Sequence, residues 1–145
     1  MSMQDACPTS KNGDNKVRHL TRSFAVGALR RGKQIEQFLG GFDHDGRPAL
    51  RWLALGPGRE GITIYLSEVE DAGTATYSAI DDFPPIDPDD ETWGKAIATK
   101  ATPEEALDLA ESELGAQPGR WVNEGVVCSE YRDYKMAAQD EPANP

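Results

Sequence analysis

Ala49-Leu50-Arg51-Trp52-Leu53-Ala54-Leu55 decides the fold class. Alternate side chains of an extended chain point to opposite faces. That sets Ala49, Leu53 and Leu55 on one side and Leu50, Trp52 and Ala54 on the other. Only Arg51 interrupts, so the segment is apolar on both faces, the pattern of a strand in the middle of a sheet. Before it come residues 35–42 and then Asp43-His44-Asp45-Gly46, whose Asp-Gly pair tolerates positive φ. The two runs are expected to pair as a hairpin. After it, Gly56-Pro57-Gly58-Arg59-Glu60-Gly61 makes a turn into residues 62–67. There Ile62, Ile64 and Leu66 alternate with Thr63, Tyr65 and Ser67, a period of two.

Working outward, residues 74–80 are rich in β-branched and aromatic side chains and predict a returning strand after Asp71-Ala72-Gly73. Pro84, Pro85 and Pro88 then break any regular element. Residues 95–101 suit a short strand. Thr102-Pro103-Glu104-Glu105 predicts a helix start: Thr102 caps free amides, Pro103 fits the first helical position and Glu105 can reach back. The helix should end near Leu114, before Gly115 and Pro118. A strand is expected within residues 19–29, and another around residues 125–131. The sum is an α+β domain over residues 17–136: a mainly antiparallel sheet of five or six strands with one helix, about 103–114, on one face. Residues 1–16 and 137–145 are expected to be disordered tails.

The chain has 145 residues and a net charge of −10, unevenly placed. Residues 1–51 carry a balance of +4 and residues 52–145 one of −14. Within residues 60–94 there are ten carboxylates and no Lys, Arg or His. Such a field argues against nucleic acid or an anionic membrane as a direct partner and suits a basic one. No apolar run is long enough to span a bilayer, and the polar N-terminus lacks a secretory core. Cys7 and Cys128 have no CxxC spacing, so a reducing cytoplasm and no structural disulfide are expected.

The motifs that hint at chemistry have simpler explanations. Residues 56–61 match GxGxxG, but a dinucleotide site needs a helix after it, and β-patterned sequence follows. Asp43, Asp45 and Gly46 resemble the start of a calcium loop, yet its twelfth position falls on Ala54 instead of a bidentate Glu. No nucleophile motif accompanies the two histidines, His19 and His44. No catalytic constellation, metal site or cofactor is therefore assigned. Arg18, Arg22, Arg30, Arg31 and Lys33 form the one basic cluster and can face acids of the same molecule.

The expected function is a small acidic binding or inhibitor module that blocks a basic protein partner. The contact residues would be Asp81, Asp82, Phe83, Asp87, Asp89, Asp90, Glu91 and Trp93. Anionic side chains on a proline-stiffened loop speed encounter with a basic target, and rings supply anchors. Small acidic immunity proteins that neutralise nuclease toxins, and proteins that mimic DNA, are similar in size and charge. Two other classes fit the sequence: a small carboxylate- or metal-dependent enzyme, and an accessory domain of an assembly that self-associates through oppositely charged ends.

Overall fold

The structure is a computed structural model that describes residues 18–74, 76–86 and 94–140, with side chains to residue 137. Strands β1 (Ile35–His44), β2 (Arg47–Gly58) and β3 (Gly61–Glu70) form an antiparallel meander. Strand β4 (Lys95–Lys100) pairs with β3, and the two-residue β5 (Val122–Asn123) pairs with the start of β1. The sheet order is β4-β3-β2-β1-β5, with β2 at its centre. The first hairpin closes through Asp45 (φ 53°) and Gly46 (φ 83°), the positive-φ pair that Asp-Gly permits. Asp43 Oδ2 accepts from Gly46 N at 3.2 Å and holds the turn. Residues 56–61 are hairpin, with Gly58 opposite Gly61.

Both faces of the sheet are covered. On one face Ile35, Leu53, Leu55, Ile62 and Ile64 pack beneath helix α1 (Arg22–Arg30), helix α2 (Pro103–Glu113) and Trp121. On the other, Leu50, Trp52, Ala54 and Val69 meet Ile80, Phe83 and helix α3 (Val127–Asp140) through Val127, Cys128 and Tyr131. The α+β class and the antiparallel sheet of five strands are as the sequence predicts. The single helix is not, because two more helices form and one of them builds a second layer.

Each difference has a local cause. The sequence predicts a strand within residues 19–29, yet Thr21 Oγ1 accepts from Phe24 N at 3.2 Å and starts α1. Ala25, Ala28 and Leu29, spaced three and four apart, are its buried stripe. Around residues 125–131 the strand is replaced by α3, whose Val127, Cys128 and Tyr131 share the buried side. That helix continues through Ala137 to Asp140, where the sequence predicts a tail. Residues 74–80 do not return as a strand. Thr74 and Tyr77 close a tight turn on each other, and Ile80–Asp82 forms a 3₁₀ turn that buries Ile80. The edge of β3 is instead met by Pro85 at Val69 and by β4. Helix α2 matches the prediction: Thr102 Oγ1 accepts from Glu105 N at 3.2 Å and Pro103 opens the helix.

The 1–16 tail lies outside the described residues. Cys128 is buried and disulfide-bonded, contrary to the expectation of reduced thiols. Spacing along the chain carried no sign of it, and Cys7 lies outside the described residues. Among the described residues, no helix is long and apolar enough to cross a membrane.

Candidate functional site

The acidic run enters the fold through the 3₁₀ turn. Asp81 and Asp82 lie on its exposed side, while the ring of Phe83 turns inward to the second-face core. Phe83 meets Tyr131 edge-on at 5.3 Å between centroids and Tyr77 at 5.6 Å. It therefore cannot be the exposed anchor that the sequence suggested. Its apolar ring is worth more inside, and no polar atom keeps it at the surface. Tyr77, half exposed, is the ring that reaches solvent here, supported from below by Phe83. Asp87, Asp89, Asp90, Glu91 and Trp93 lie outside the described residues.

Glu124 joins this region from the turn before α3. It is exposed, and its charge acts on Asp81. Asp81 is raised above the ordinary carboxylate range, first by burial of its carboxyl end and then by Asp82. The residue as a whole is exposed, while its Oδ1 lies 3.8 Å from the Sγ of buried Cys128. Among the described residues no Lys or Arg stands within ion-pair distance of Asp81, Asp82 or Glu124.

Just inside this patch sits Glu36, at 4% exposure. Its Oε1 accepts from Gly125 N and its Oε2 from Gln34 Nε2, both at 2.9 Å. Burial, only partly offset by those hydrogen bonds, pushes the carboxyl up to about 7; Glu124 and Asp81 add to the rise. Neither Glu36 nor Glu124 was marked by the sequence. The signal for Glu36 was a carboxylate following Ile35 at the start of an apolar strand.

Several other acids are paired. Arg22 reaches Asp108 (3.0 Å) and Glu111 (3.7 Å), and Arg30 reaches Glu104 (2.8 Å), so part of the basic cluster faces the acidic helix α2. Arg51 holds Glu68 at 2.7 Å. Asp71, nearly buried, takes Tyr131 Oη at 2.6 Å and Lys135 Nζ at 3.0 Å.

No protein-family model, curated protein or solved structure matches this chain.

The remaining sequence candidates take ordinary places. His44 stands 3.9 Å from Asp45 at the hairpin tip, both exposed. Trp52 is core, and Trp121 is fully buried with Nε1 donating to Glu111 at 3.1 Å. Among the described residues, no three His, Cys, Asp or Glu side chains converge as metal ligands.

A second concave region lies between β1 and α3. Glu130, almost fully buried, accepts from Arg18 at 2.7 Å and Arg120 at 3.3 Å, and His19 Nε2 lies 3.0 Å from it. Arg18 also donates to Asp133 at 2.8 Å. A cavity of about 460 Å³ opens beside them, walled by Phe38 and Tyr134.

Proposed function

We propose that this chain is a small acidic binding module that engages a basic protein, such as a nuclease or another toxin, and blocks it. The observation that carries this is the patch of Asp81, Asp82 and Glu124, exposed and without a cation at ion-pair distance among the described residues. Tyr77 stands beside it as a half-exposed ring on a rigid base. The charges of Asp82 and Glu124 repel that of Asp81, and an arriving guanidinium or ammonium relieves that repulsion. In sequence the patch leads directly into Asp87, Asp89, Asp90, Glu91 and Trp93, which extend the same chemistry. Immunity proteins and DNA mimics use surfaces of this charge, and the likeness rests on size and charge.

Affinity capture from the native host tests the proposal. Wild-type protein should retain a basic protein whose binding weakens steeply with salt, as exposed charge pairs require. The Asp81→Lys/Asp82→Lys double variant should lose at least about tenfold in affinity, mostly through slower association. Tyr77→Ala should mainly speed dissociation. Glu104→Lys, which alters an acid already paired with Arg30, serves as the charge control. Salt-insensitive capture, or equal loss in the control, overturns the assignment.

A further inference from the structure

The geometry points to a second binding site: the cleft between β1 and α3 takes a short zwitterionic peptide of two or three residues. Its C-terminal carboxylate would lie on Arg120, its N-terminal ammonium at Asp133, and an apolar side chain against Phe38 and Tyr134. Arg120, Glu130, Arg18 and Asp133 form a row of alternating charge, linked by contacts of 3.3, 2.7 and 2.8 Å. The two inner side chains are buried, at 5% exposure for Glu130 and 7% for Arg18. The two ends are half open, at 54% for Arg120 and 50% for Asp133.

That arrangement selects against simple ions. The four charges of the row sum to zero, so a lone anion or cation gains at one end and finds the opposite sign nearby. A dipolar ligand laid antiparallel to the row gains at both ends. The inner pair is fixed in advance, with His19 as a further contact to Glu130, so little ordering is needed on binding. Arg120 spends one 3.3 Å hydrogen bond on Glu130 and keeps other N–H donors for a planar carboxylate.

Length follows from the same contacts. In series, with the width of the Glu130 carboxylate between them, they separate the open ends by about 11 Å at most, within the reach of three extended residues at roughly 3.3–3.6 Å each. The cavity of about 460 Å³ lies in the size range of small-ligand sites. A second hollow of about 240 Å³, lined by Gln37, Leu39, Gly40 and Gly115 among others, shares Phe38 and Arg120 with it and extends the cleft. Phe38 and Tyr134 meet edge-on at 5.2 Å and form its apolar wall. Gly41 lets the Tyr134 hydroxyl lie over β1, because a Cβ there would collide with it.

Titration of the full ¹⁵N-labelled chain with Gly-Phe-Gly, N-acetyl-Gly-Phe-Gly and Gly-Phe-Gly amide tests this. The free tripeptide should shift amides of residues 38–41, 117, 119, 120 and 130–134, and each blocked form should bind at least about tenfold more weakly. Arg120→Gln should abolish the preference for the free carboxylate, and Asp133→Asn that for the free ammonium. Both side chains are half exposed, and an unchanged amide spectrum elsewhere reports that the fold is kept. No cleft shifts at about 10 mM tripeptide, or equal binding of all three forms, overturns the inference.

Discussion

Replacing Glu36 by Gln should remove one large pH-dependent contribution to stability. The carboxyl is 4% exposed and titrates near 7 in the folded chain, against an ordinary value of 4.5. The folded state therefore holds a proton that the unfolded chain releases. Its stabilisation is fully present below pH 4.5 and is lost as pH rises through 7. The shift corresponds to about 3 kcal/mol between those limits, of which more than half should appear between pH 5 and pH 8. The amide introduced by Glu36→Gln would keep an acceptor for Gly125 N. Its new N–H donor can face Gln34, whose own amide can turn over to accept. Urea unfolding at pH 5 should then give variant and wild type within about 1 kcal/mol, and at pH 8 the variant should be more stable by about 2 kcal/mol. Taking the difference between the two proteins removes every contribution that they share. If the two stability curves run parallel from pH 5 to pH 8, the carboxylate is not desolvated as argued and the reasoning fails.

Two further outcomes follow from packing. Tyr131 Oη, fully buried, donates to the Asp71 carboxylate at 2.6 Å, and burial together with that carboxylate raises the phenol so that it stays a donor. Tyr131→Phe should cost about 1.5–3 kcal/mol in denaturant unfolding; a loss below about 0.5 would show that Lys135 alone satisfies Asp71. Gly61 has φ +146°, and a Cβ there would collide with the Lys100 carbonyl. Gly61→Ala should cost about 2 kcal/mol or more and loosen β4, read as faster amide exchange over residues 95–100. Unchanged exchange there would refute the close approach.

The elements legible in the sequence are those in which one local signal suffices. Asp45-Gly46 fixes a hairpin by its backbone freedom, the alternation from Ile62 to Leu66 fixes a strand, and Thr102-Pro103 fixes a helix start. The double-sided apolar pattern of Leu50 to Leu55 correctly implied a central strand, and it also implied layers on both faces. Only one helix could be matched to those layers, because α1 and α3 carry spacings that suit either periodicity. Val126-Val127-Cys128 favours a strand by propensity, yet the exposed second face of β2 is covered only if Val127, Cys128 and Tyr131 share one side of a helix. Phe83 was misplaced for a related reason: its neighbours in sequence are acidic, and its burial depends on a 3₁₀ turn that no local motif announces.

The charge of the chain gains meaning only when the pairs are known. A helix with Glu104, Asp108 and Glu111 looks like the most anionic element, yet Arg22 and Arg30, more than 70 residues away in sequence, answer it. Exposed pairs of that kind add little stability, but the two arginines offset two of the five negative charges that α2 presents to a distant partner. Asp81, Asp82 and Glu124 have no such answer among the described residues, and Glu36 lies buried just behind them. Net charge alone would have spread the expected contact over two-thirds of the chain. Subtracting the internal pairs leaves exposed acids in several places, Glu60, Glu70, Glu105 and Glu113 among them, and at one end of the second face it leaves Asp81 with Asp82 and Glu124 close enough to act on it. A charge-reversal scan should therefore produce its largest losses of partner binding at that end rather than along α2.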